Sequence, residues 1–180
     1  IFASMRRGGR FLYAFDVTDI STTPSSPTLK WKRGCPNQGN DTDCSSGWDG
    51  IGQTWSAPQS LKTNGYQSAG SPLPMLIMGG GYDPCEDGDP HTCDASAKGR
   101  YIYVLDADTG GLLKTFTTER PVVGDIFIVP DGSSGLAKYA YAADMGGNVY
   151  RISGSSANLP FAATAPADWT MTKIASLGCD

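Results

Sequence analysis

The sequence predicts an all-β fold built from short strands and tight turns. The chain contains 23 glycines and 12 prolines among its 180 residues, which favours turns and disfavours long helices. Runs of apolar and β-branched residues recur between these turn residues, whereas the spacing of an amphipathic helix is nearly absent. The predicted strands are residues 10–17, 28–33, 74–78, 100–106, 112–118, 122–129, 138–144, 148–153 and 169–175. A small-residue linker between strands, residues 155–168, precedes the last of them.

A short motif recurs three times and indicates how the strands are grouped. An aromatic residue, two small or apolar residues and an aspartate precede a turn in Tyr13-Ala14-Phe15-Asp16, Tyr103-Val104-Leu105-Asp106 and Tyr141-Ala142-Ala143-Asp144. The aspartates are 90 and 38 residues apart, which fits a period of about 40–45 residues with four short strands, the pattern of propeller blades. The chain, residues 1–180, is therefore predicted to be a partial β-propeller domain, a fragment of about four blades of a larger propeller.

Each motif aspartate is predicted to close its strand and cap the following turn. A carboxylate in this position accepts hydrogen bonds from backbone N–H groups of the turn, and a following glycine supplies the positive φ angle. The segment Asp106-Ala107-Asp108-Thr109-Gly110 shows the pattern most clearly. We expect these aspartates to be structural and predict no catalytic residue.

Composition and charge exclude several classes of function. The hydrophobic share of 39% is too high for a disordered chain, and no run of about 18 apolar residues could form a transmembrane segment. The net charge of −4 disfavours nucleic acid as a partner. The chain has one histidine, His91, and no nucleophile or phosphate-binding motif, so we expect neither an enzyme nor a bound cofactor or metal.

The ends of the chain are typical of a fragment. It starts at Ile1 without an initiator methionine or a secretion signal, and it stops at Asp180 just after a predicted strand. A mature, processed protein is the alternative interpretation.

Four of the five cysteines form two pairs that are close in the sequence. Cys35 and Cys44 lie in one polar loop, and Cys85 and Cys93 lie in another. Neither gap matches a zinc knuckle, so we predict two local structural disulfides, each contributing roughly 2–3 kcal/mol to stability. Reduced, unpaired cysteines of a cytosolic protein are the alternative. Cys179 is left over, and the disulfides favour an exported protein.

Two segments are specific enough to compare with a known family: Gly79-Gly80-Gly81-Tyr82-Asp83 and Asp144-Met145-Gly146-Gly147-Asn148-Val149-Tyr150-Arg151. Further stretches match in the same order, namely residues 9–19, 28–31, 51–58 and 100–110. Together they resemble the C-terminal β-propeller domain of the type IV pilus biogenesis and tip-adhesin family, the PilC/PilY type. The resemblance covers residues 8–153.

This resemblance implies a non-enzymatic domain of an exported protein at the cell surface, the pilus tip or the outer membrane. The domain would be a rigid scaffold that binds minor pilins, other pilus-tip subunits, or a host or surface ligand. It would support pilus biogenesis, adhesion and twitching motility.

The resemblance also raises the question of calcium. Family members often carry a loop of the pattern D-x-D-x-D-G-x-x-D before the strand that Asp144 closes here. In the corresponding residues 129–138, Lys138 takes the last acidic position and only Asp131 remains, one place out of register. Because Ca²⁺ needs six to eight oxygen ligands, we predict that this loop does not bind calcium. The acidic loop 83–94 is interpreted as a solvated, disulfide-pinned loop, with a metal site as the alternative.

Two other functions are compatible with a propeller. A quinoprotein-like dehydrogenase would need a quinone pocket with a stacking tryptophan and a calcium site, and neither stands out in the sequence. An extracellular carbohydrate-binding propeller would stack sugars on exposed Trp48, Trp55 and Tyr66, although packing between blades is the favoured role of Trp55.

Overall fold

A computed structural model describes residues 1–18 and 27–178, whose regular secondary structure is almost entirely β-strand. Cys179 lies outside the described residues. The helical segments within them are short 3-10 turns at Pro84–Asp87 and Pro166–Asp168. The strands are Phe2–Ser4 (β1), Arg10–Asp16 (β2), Thr28–Cys35 (β3), Gln59–Leu61 (β4), Gln67–Ser68 (β5), Ser71–Pro72 (β6), Met75–Gly79 (β7), Tyr101–Asp106 (β8), Leu112–Thr117 (β9), Phe127–Pro130 (β10), Ala137–Ala143 (β11), Asn148–Ser153 (β12) and Thr170–Ser176 (β13).

Most of these strands form three antiparallel sheets. Blade 1 has the order β1-β2-β3, blade 2 the order β4-β7-β8-β9 and blade 3 the order β10-β11-β12-β13, while β5 and β6 pair as a separate hairpin. The all-β prediction is confirmed. The sheets have the size and the antiparallel order of propeller blades.

The described residues contain three blade-sized sheets, whereas the sequence period predicts about four. The 90 residues from Asp16 to Asp106 lead from blade 1 to blade 2, so they correspond to one blade and not to two. Residues 36–58, the β5–β6 hairpin and residues 80–100 lengthen this interval. Insertions between strands enlarge the period in the sequence without adding a blade.

Blade 2 is buried on both of its faces. Along β8, Ile102 and Val104 belong to a core cluster shared with blade 3, and Tyr103 and Leu105 belong to a cluster shared with blade 1. All four side chains are at most 1% exposed. Because side chains of a strand alternate between its two faces, one apolar strand fills two cores. This is the stacking that the prediction of blades requires.

Blades 1 and 3 bury one face each. In β2, Leu12 and Ala14 are buried, while Phe11, Tyr13 and Phe15 point the other way and are half-buried. The Tyr13 ring centre lies 5.8 Å from that of Phe11 and 6.0 Å from that of Phe15. In β11, Ala137, Ala140 and Ala142 are likewise buried, and the two tyrosines are half-buried. Faces of this composition are suited to packing against another sheet.

One predicted strand differs from the structure in its bounds, whereas the predicted linker does lie between two strands. The strand predicted at residues 122–129 begins later in the structure, where β10 starts at Phe127. Val122 is a buried part of the connection from blade 2, where its carbonyl accepts a hydrogen bond from Gly81 N–H at 2.9 Å. Residues 155–168 run between β12 and β13 without a strand. They are attached to the core by Phe161, which is fully buried and stacks on Trp169 with ring centres 4.0 Å apart.

Candidate functional site

The two ends of the blades are built differently. At one end, here called the turn end, Asp16 and Asp106 are the last residues of β2 and β8, and an ion pair between Lys30 and Asp108 joins blade 1 to blade 2. At the other end, here called the connector end, the chain passes between blades. The connector end consists of residues 50–55, 79–83, 98–101 and 118–123.

The predicted capping role of the motif aspartates is confirmed at the turn end. The Asp16 carboxylate accepts a hydrogen bond from Thr18 N–H at 2.9 Å, and the Asp106 carboxylate accepts one from Thr109 N–H at 2.6 Å. Gly110 has the predicted positive φ angle, +68°. These carboxylates therefore hold turns closed.

The third copy of the motif lies at the connector end. The Asp144 carboxylate also caps its turn, accepting a hydrogen bond from Asn148 N–H at 3.0 Å, and it accepts another from Arg120 N–H at 3.0 Å. Asp144 contacts Arg120, which follows the end of β9, whereas Asp106 precedes the start of β9. Asp106 and Asp144 therefore lie at opposite ends of this strand. Asp106 closes the third strand of blade 2, and Asp144 closes the second strand of blade 3. The three copies share a turn function but not one position in the blade.

Glycines allow several chain segments to meet at the connector end. Gly52 N–H donates to the Gly80 carbonyl at 2.8 Å. A Cβ atom on Gly80 would lie 2.6 Å from the Gly99 carbonyl oxygen, and one on Gly81 would lie 2.1 Å from the Gln53 carbonyl oxygen. The φ angle of Gly81 is +97°, which other residues rarely adopt. The glycine triplet singled out in the sequence is therefore required by close packing of backbones. We call the group Gly50, Gly52, Gly80, Gly81 and Gly99 the glycine hub.

Arg10 organises the first cysteine loop, a role that the sequence analysis missed. Its side chain is 2% exposed, and all five of its guanidinium N–H groups donate hydrogen bonds. The acceptors are the carbonyl oxygens of Asn37, Asn40, Asp49 and Ile51 and the carboxylate of Asp41, at 2.6–3.0 Å. The loop folds around one buried cation.

The structure contains the disulfides Cys35–Cys44 and Cys85–Cys93, the two pairs that the spacing predicts. Beside the first pair lies the Asp41 carboxylate, and beside the second lies that of Glu86; these are the sets of three potential metal ligands found in residues 1–18 and 27–178. A disulfide sulfur is not a thiolate ligand. Neither set therefore fits a metal.

The acidic side chains of the second cysteine loop hold it onto the connector end. The Asp83 carboxylate accepts a hydrogen bond from Lys98 N–H at 2.6 Å. The Glu86 side chain is 3% exposed and pairs with Arg120, whose side chain is 13% exposed. The loop is pinned by its disulfide as expected, but Glu86 is not solvated. Its burial links the loop to the connection between blades 2 and 3.

This loop also forms one wall of a cleft of about 500 Å³ at the connector end. Trp55 lines the cleft and is half-buried, with the Arg6 guanidinium carbon 5.7 Å from its ring centre. Tyr82 lines it too, and its hydroxyl donates a hydrogen bond to Asp87, which raises the pKa of Tyr82 to about 12. The remaining lining residues are Arg7, Gln53, Pro84, Asp87 and Val123.

The sugar platform of Trp48, Trp55 and Tyr66, which the alternative of a carbohydrate-binding propeller requires, is not formed, because two of its members are engaged elsewhere. Trp48 is 1% exposed and stacks on Tyr103 with ring centres 4.7 Å apart. The Tyr66 hydroxyl donates a hydrogen bond to Asp106 at 2.6 Å, which raises the pKa of Tyr66 to about 12. Trp55 remains, at the opposite end of the blades from Tyr66.

In the loop 129–138, the carboxylate of Asp131 already accepts hydrogen bonds from neighbouring residues. The Asp131 carboxylate accepts hydrogen bonds from the Ser133 hydroxyl at 2.6 Å and from the N–H groups of Ser134 and Ser133, both at 3.1 Å. These bonds hold the pKa of the Asp131 carboxyl well below its usual value. Lys138 is exposed near the start of β11. That this loop does not bind calcium stays a prediction.

Stacked antiparallel blades whose connections gather at one end define a β-propeller-type domain. Over the described part of the chain, no helix has the length and apolar character needed to cross a membrane. Residues 1–170 match the family model of the PilY1 beta-propeller domain. The chain belongs to this family, which is the type that the sequence resembles.

Curated relatives agree with this assignment, and a solved structure agrees with the fold. The chain is 27% identical over 153 residues to the type IV pilus biogenesis factor PilY1 of Pseudomonas aeruginosa strain UCBPP-PA14, and 25% identical over 157 residues to that of strain PAO1. Each match covers 84% of this chain and 11% of the relative. The crystal structure of the Pseudomonas aeruginosa PilY1 C-terminal domain matches with a TM-score of 0.62 and 22% identity, over 95% of this chain and 31% of that chain. The predicted propeller fold is confirmed.

Proposed function

We propose that this chain is the propeller scaffold of an exported protein that acts in type IV pilus assembly. Its proposed partners are minor pilins, other pilus-tip subunits, or a host or surface ligand, at the cell surface, the pilus tip or the outer membrane. In that role it supports pilus biogenesis, adhesion and twitching motility without an enzymatic step. The observation that carries the proposal is the family match over residues 1–170, with relatives named as type IV pilus biogenesis factors.

The use of buried charges supports a scaffold rather than a reaction centre. The guanidinium of Arg10 is occupied by loop acceptors, and Glu86 pairs with Arg120. The carboxylates of Asp106 and Asp144 accept hydrogen bonds from turn N–H groups. Groups occupied in this way fix loops to blades and leave no poised acid, base or nucleophile among them.

The disulfides support export. Two local disulfides close surface loops in a chain of 180 residues. Disulfides persist in oxidising compartments such as the periplasm and the cell exterior. A loop closed by a disulfide also keeps its shape in the absence of a partner, which suits a docking scaffold.

The test is co-purification of minor pilins with the full-length protein that contains this chain. Gly80→Ala would place a Cβ atom against the Gly99 carbonyl and distort the glycine hub. Gly39→Ala is the matched control, because a Cβ atom there meets nothing within 4 Å. We expect the wild type and Gly39→Ala to retain the pilins, and Gly80→Ala to lose them and to reduce twitching.

Two results would contradict the proposal. One is a wild-type protein that retains no minor pilin and no other pilus-tip subunit. The other is full retention by Gly80→Ala when limited proteolysis shows that its propeller has opened, because pilin binding would then lie outside this domain.

A further inference from the structure

We propose that the cleft at the connector end is a glycan-binding site that accepts a neutral pyranose residue against the ring of Trp55. The site goes beyond the proposed scaffold function and does not depend on pilin binding. It is formed by Trp55 and Tyr82 together with the loop closed by Cys85 and Cys93.

The first argument is the exposure of Trp55. The chain has four tryptophans, all within the described residues. Trp31, Trp48 and Trp169 are 6%, 1% and 2% exposed and pack in the cores. Trp55 is half-buried and lines an open cleft. Covering a solvent-exposed indole with an apolar surface, such as the C–H face of a pyranose, is favourable because it removes apolar area from water.

The second argument is that the aromatic side chains are held in place before any ligand arrives. Gln53 N–H donates to the Tyr82 carbonyl at 2.8 Å, and Tyr82 N–H donates to the Gln53 carbonyl at 2.9 Å, so the two segments pair. The Trp55 indole N–H donates to the Gln53 side-chain oxygen at 3.4 Å. Because the rings are positioned by their own chain, a ligand does not have to order them.

The third argument is the polar chemistry around the rings. Arg7 and Gln53 supply donors, Asp87 supplies acceptors, and the Tyr82 hydroxyl completes the set. Sugar hydroxyls both donate and accept hydrogen bonds, so a mixed set of planar polar side chains suits them. The lining contains one cation, Arg7, and one anion, Asp87, and the Arg6 guanidinium carbon lies 5.7 Å from the Trp55 ring centre beside it. The charges of the lining itself cancel, which favours a neutral sugar over an acidic one.

The fourth argument concerns the size and the wall of the cleft. Its volume of about 500 Å³ lies in the usual range of ligand pockets, about 300–1,000 Å³. Asp87 belongs to the loop that the Cys85–Cys93 disulfide closes, and Pro84 directly precedes this loop. The ion pair between Glu86 and Arg120 holds this loop down. The wall therefore stays in place when the cleft is empty.

The experiment uses the full-length protein labelled with 5-fluorotryptophan. The ¹⁹F resonance of Trp55 is identified as the one that disappears in Trp55→Phe. The probes are methyl glycosides of glucose, galactose, mannose and N-acetylglucosamine, with the methyl glycoside of N-acetylneuraminic acid as the acidic comparison. We expect at least one neutral glycoside to shift the Trp55 resonance with saturation at roughly millimolar concentration, as its about 13 non-hydrogen atoms allow.

Variants then locate the binding. Calorimetry should show binding at least about tenfold weaker in Trp55→Ala, which removes the stacking surface. Phe127→Ala is the matched control, since Phe127 is 68% exposed on the edge strand of blade 3, and its binding should equal that of the wild type. The resonances of the other tryptophans show whether each variant is folded. Should Trp55→Ala not fold, Asp87→Asn serves in its place and should also weaken binding.

Several results would overturn the proposal. They are the absence of any shift up to about 100 mM of every neutral glycoside, a concentration far above the expected dissociation constant, a response to the acidic glycoside alone, and unchanged affinity in a folded Trp55→Ala protein. Loss of pilin retention with intact sugar binding, or the reverse, separates this site from the scaffold function.

Discussion

The two disulfide loops have rings of nearly equal size, with sequence separations of 9 and 8, yet they serve different parts of the molecule. Cys35 is 1% exposed and belongs to the core cluster of blades 1 and 2. Its loop folds around the buried Arg10. Cys85 and Cys93 are half-buried, and their loop forms the wall of the cleft. The first loop completes a core, and the second shapes a surface.

The difference shows that a cysteine spacing predicts a covalent ring but not its surroundings. The two loops are also joined to each other, because Lys98 donates a hydrogen bond to Asp41 at 2.6 Å while its own N–H donates to Asp83. A change in one loop can therefore be compared with a matched change in the other.

The largest expected effect comes from breaking the centre of the first loop. Arg10→Ala should lower the free energy of unfolding by about 3–5 kcal/mol, because buried acceptors lose their donors and Asp41 loses a partner. Arg7→Ala, at an exposed position near the second loop, should change it by less than about 0.5 kcal/mol. Urea unfolding measures both. Equal effects would contradict the difference between the loops.

The next effect compares the two disulfides directly. Replacing both cysteines of a pair by alanine removes a similar entropic contribution in each loop, about 3 kcal/mol on the chain-entropy model. The Cys35/Cys44 variant should lose about 1 kcal/mol more than the Cys85/Cys93 variant, since Cys35 is buried in the core. Urea midpoints give the difference. A larger loss at Cys85/Cys93 would mean that the second loop carries more of the fold than its burial indicates.

A smaller effect depends on pH and arises from the contact between the loops. Hydrogen bonds from Lys98 and then Arg10 hold the pKa of the Asp41 carboxyl below its usual value of 3.8. The folded state therefore binds this proton more weakly than the unfolded state does. The stabilisation is complete above pH 3.8 and is lost as the pH falls through the lowered pKa.

Asp41→Asn should remove that contribution. As the pH is lowered from neutral to below 3.8, the free energy of unfolding should therefore fall less in the variant than in the wild type. Urea midpoints measured across this range test the expectation. Asp43→Asn removes a carboxylate of the same loop and keeps both ion pairs of Asp41. This control should follow the wild-type profile, and a profile of Asp41→Asn identical to the wild type would refute the prediction.

The smallest effect concerns the cleft wall. The hydrogen bond to Asp87 raises the pKa of Tyr82 to about 12 from 10.0, so its stabilisation is complete below pH 10 and is lost as the pH rises towards 12. Asp87→Asn should bring the pKa of Tyr82 down towards 10, as seen in the NMR titration of its ring carbons. Asp89→Asn, in the same loop, is the control. A Tyr82 pKa unaffected by Asp87→Asn would show that the loop does not contact the ring in solution.

Local features of the sequence account for much of the fold. The strand that ends at Asp106, its aspartate-capped turn and the return strand follow from residues within a few positions of one another. Residues 1–18 and 27–178 contain three blade-sized sheets where the period predicts about four, because the interval from Asp16 to Asp106 contains loops that only pairing partners identify. The similar motif at Asp144 lies at the other end of the blades because it closes the second strand of its blade, whereas Asp106 closes the third. A motif specifies a turn, but the strand order specifies where that turn lies.

For the candidate site, the sequence by itself determined the cysteine pairs, the glycine triplet and the presence of Trp55, because spacing and residue type are sufficient for these. Tertiary structure alone decided that Trp48 is buried, that Trp55 lines a cleft and that Arg10 binds acceptors 27–41 positions away. The physical reason is that burial and hydrogen-bond partners depend on which blades meet. Contacts between residues far apart in the chain are set by packing, which local patterns do not encode.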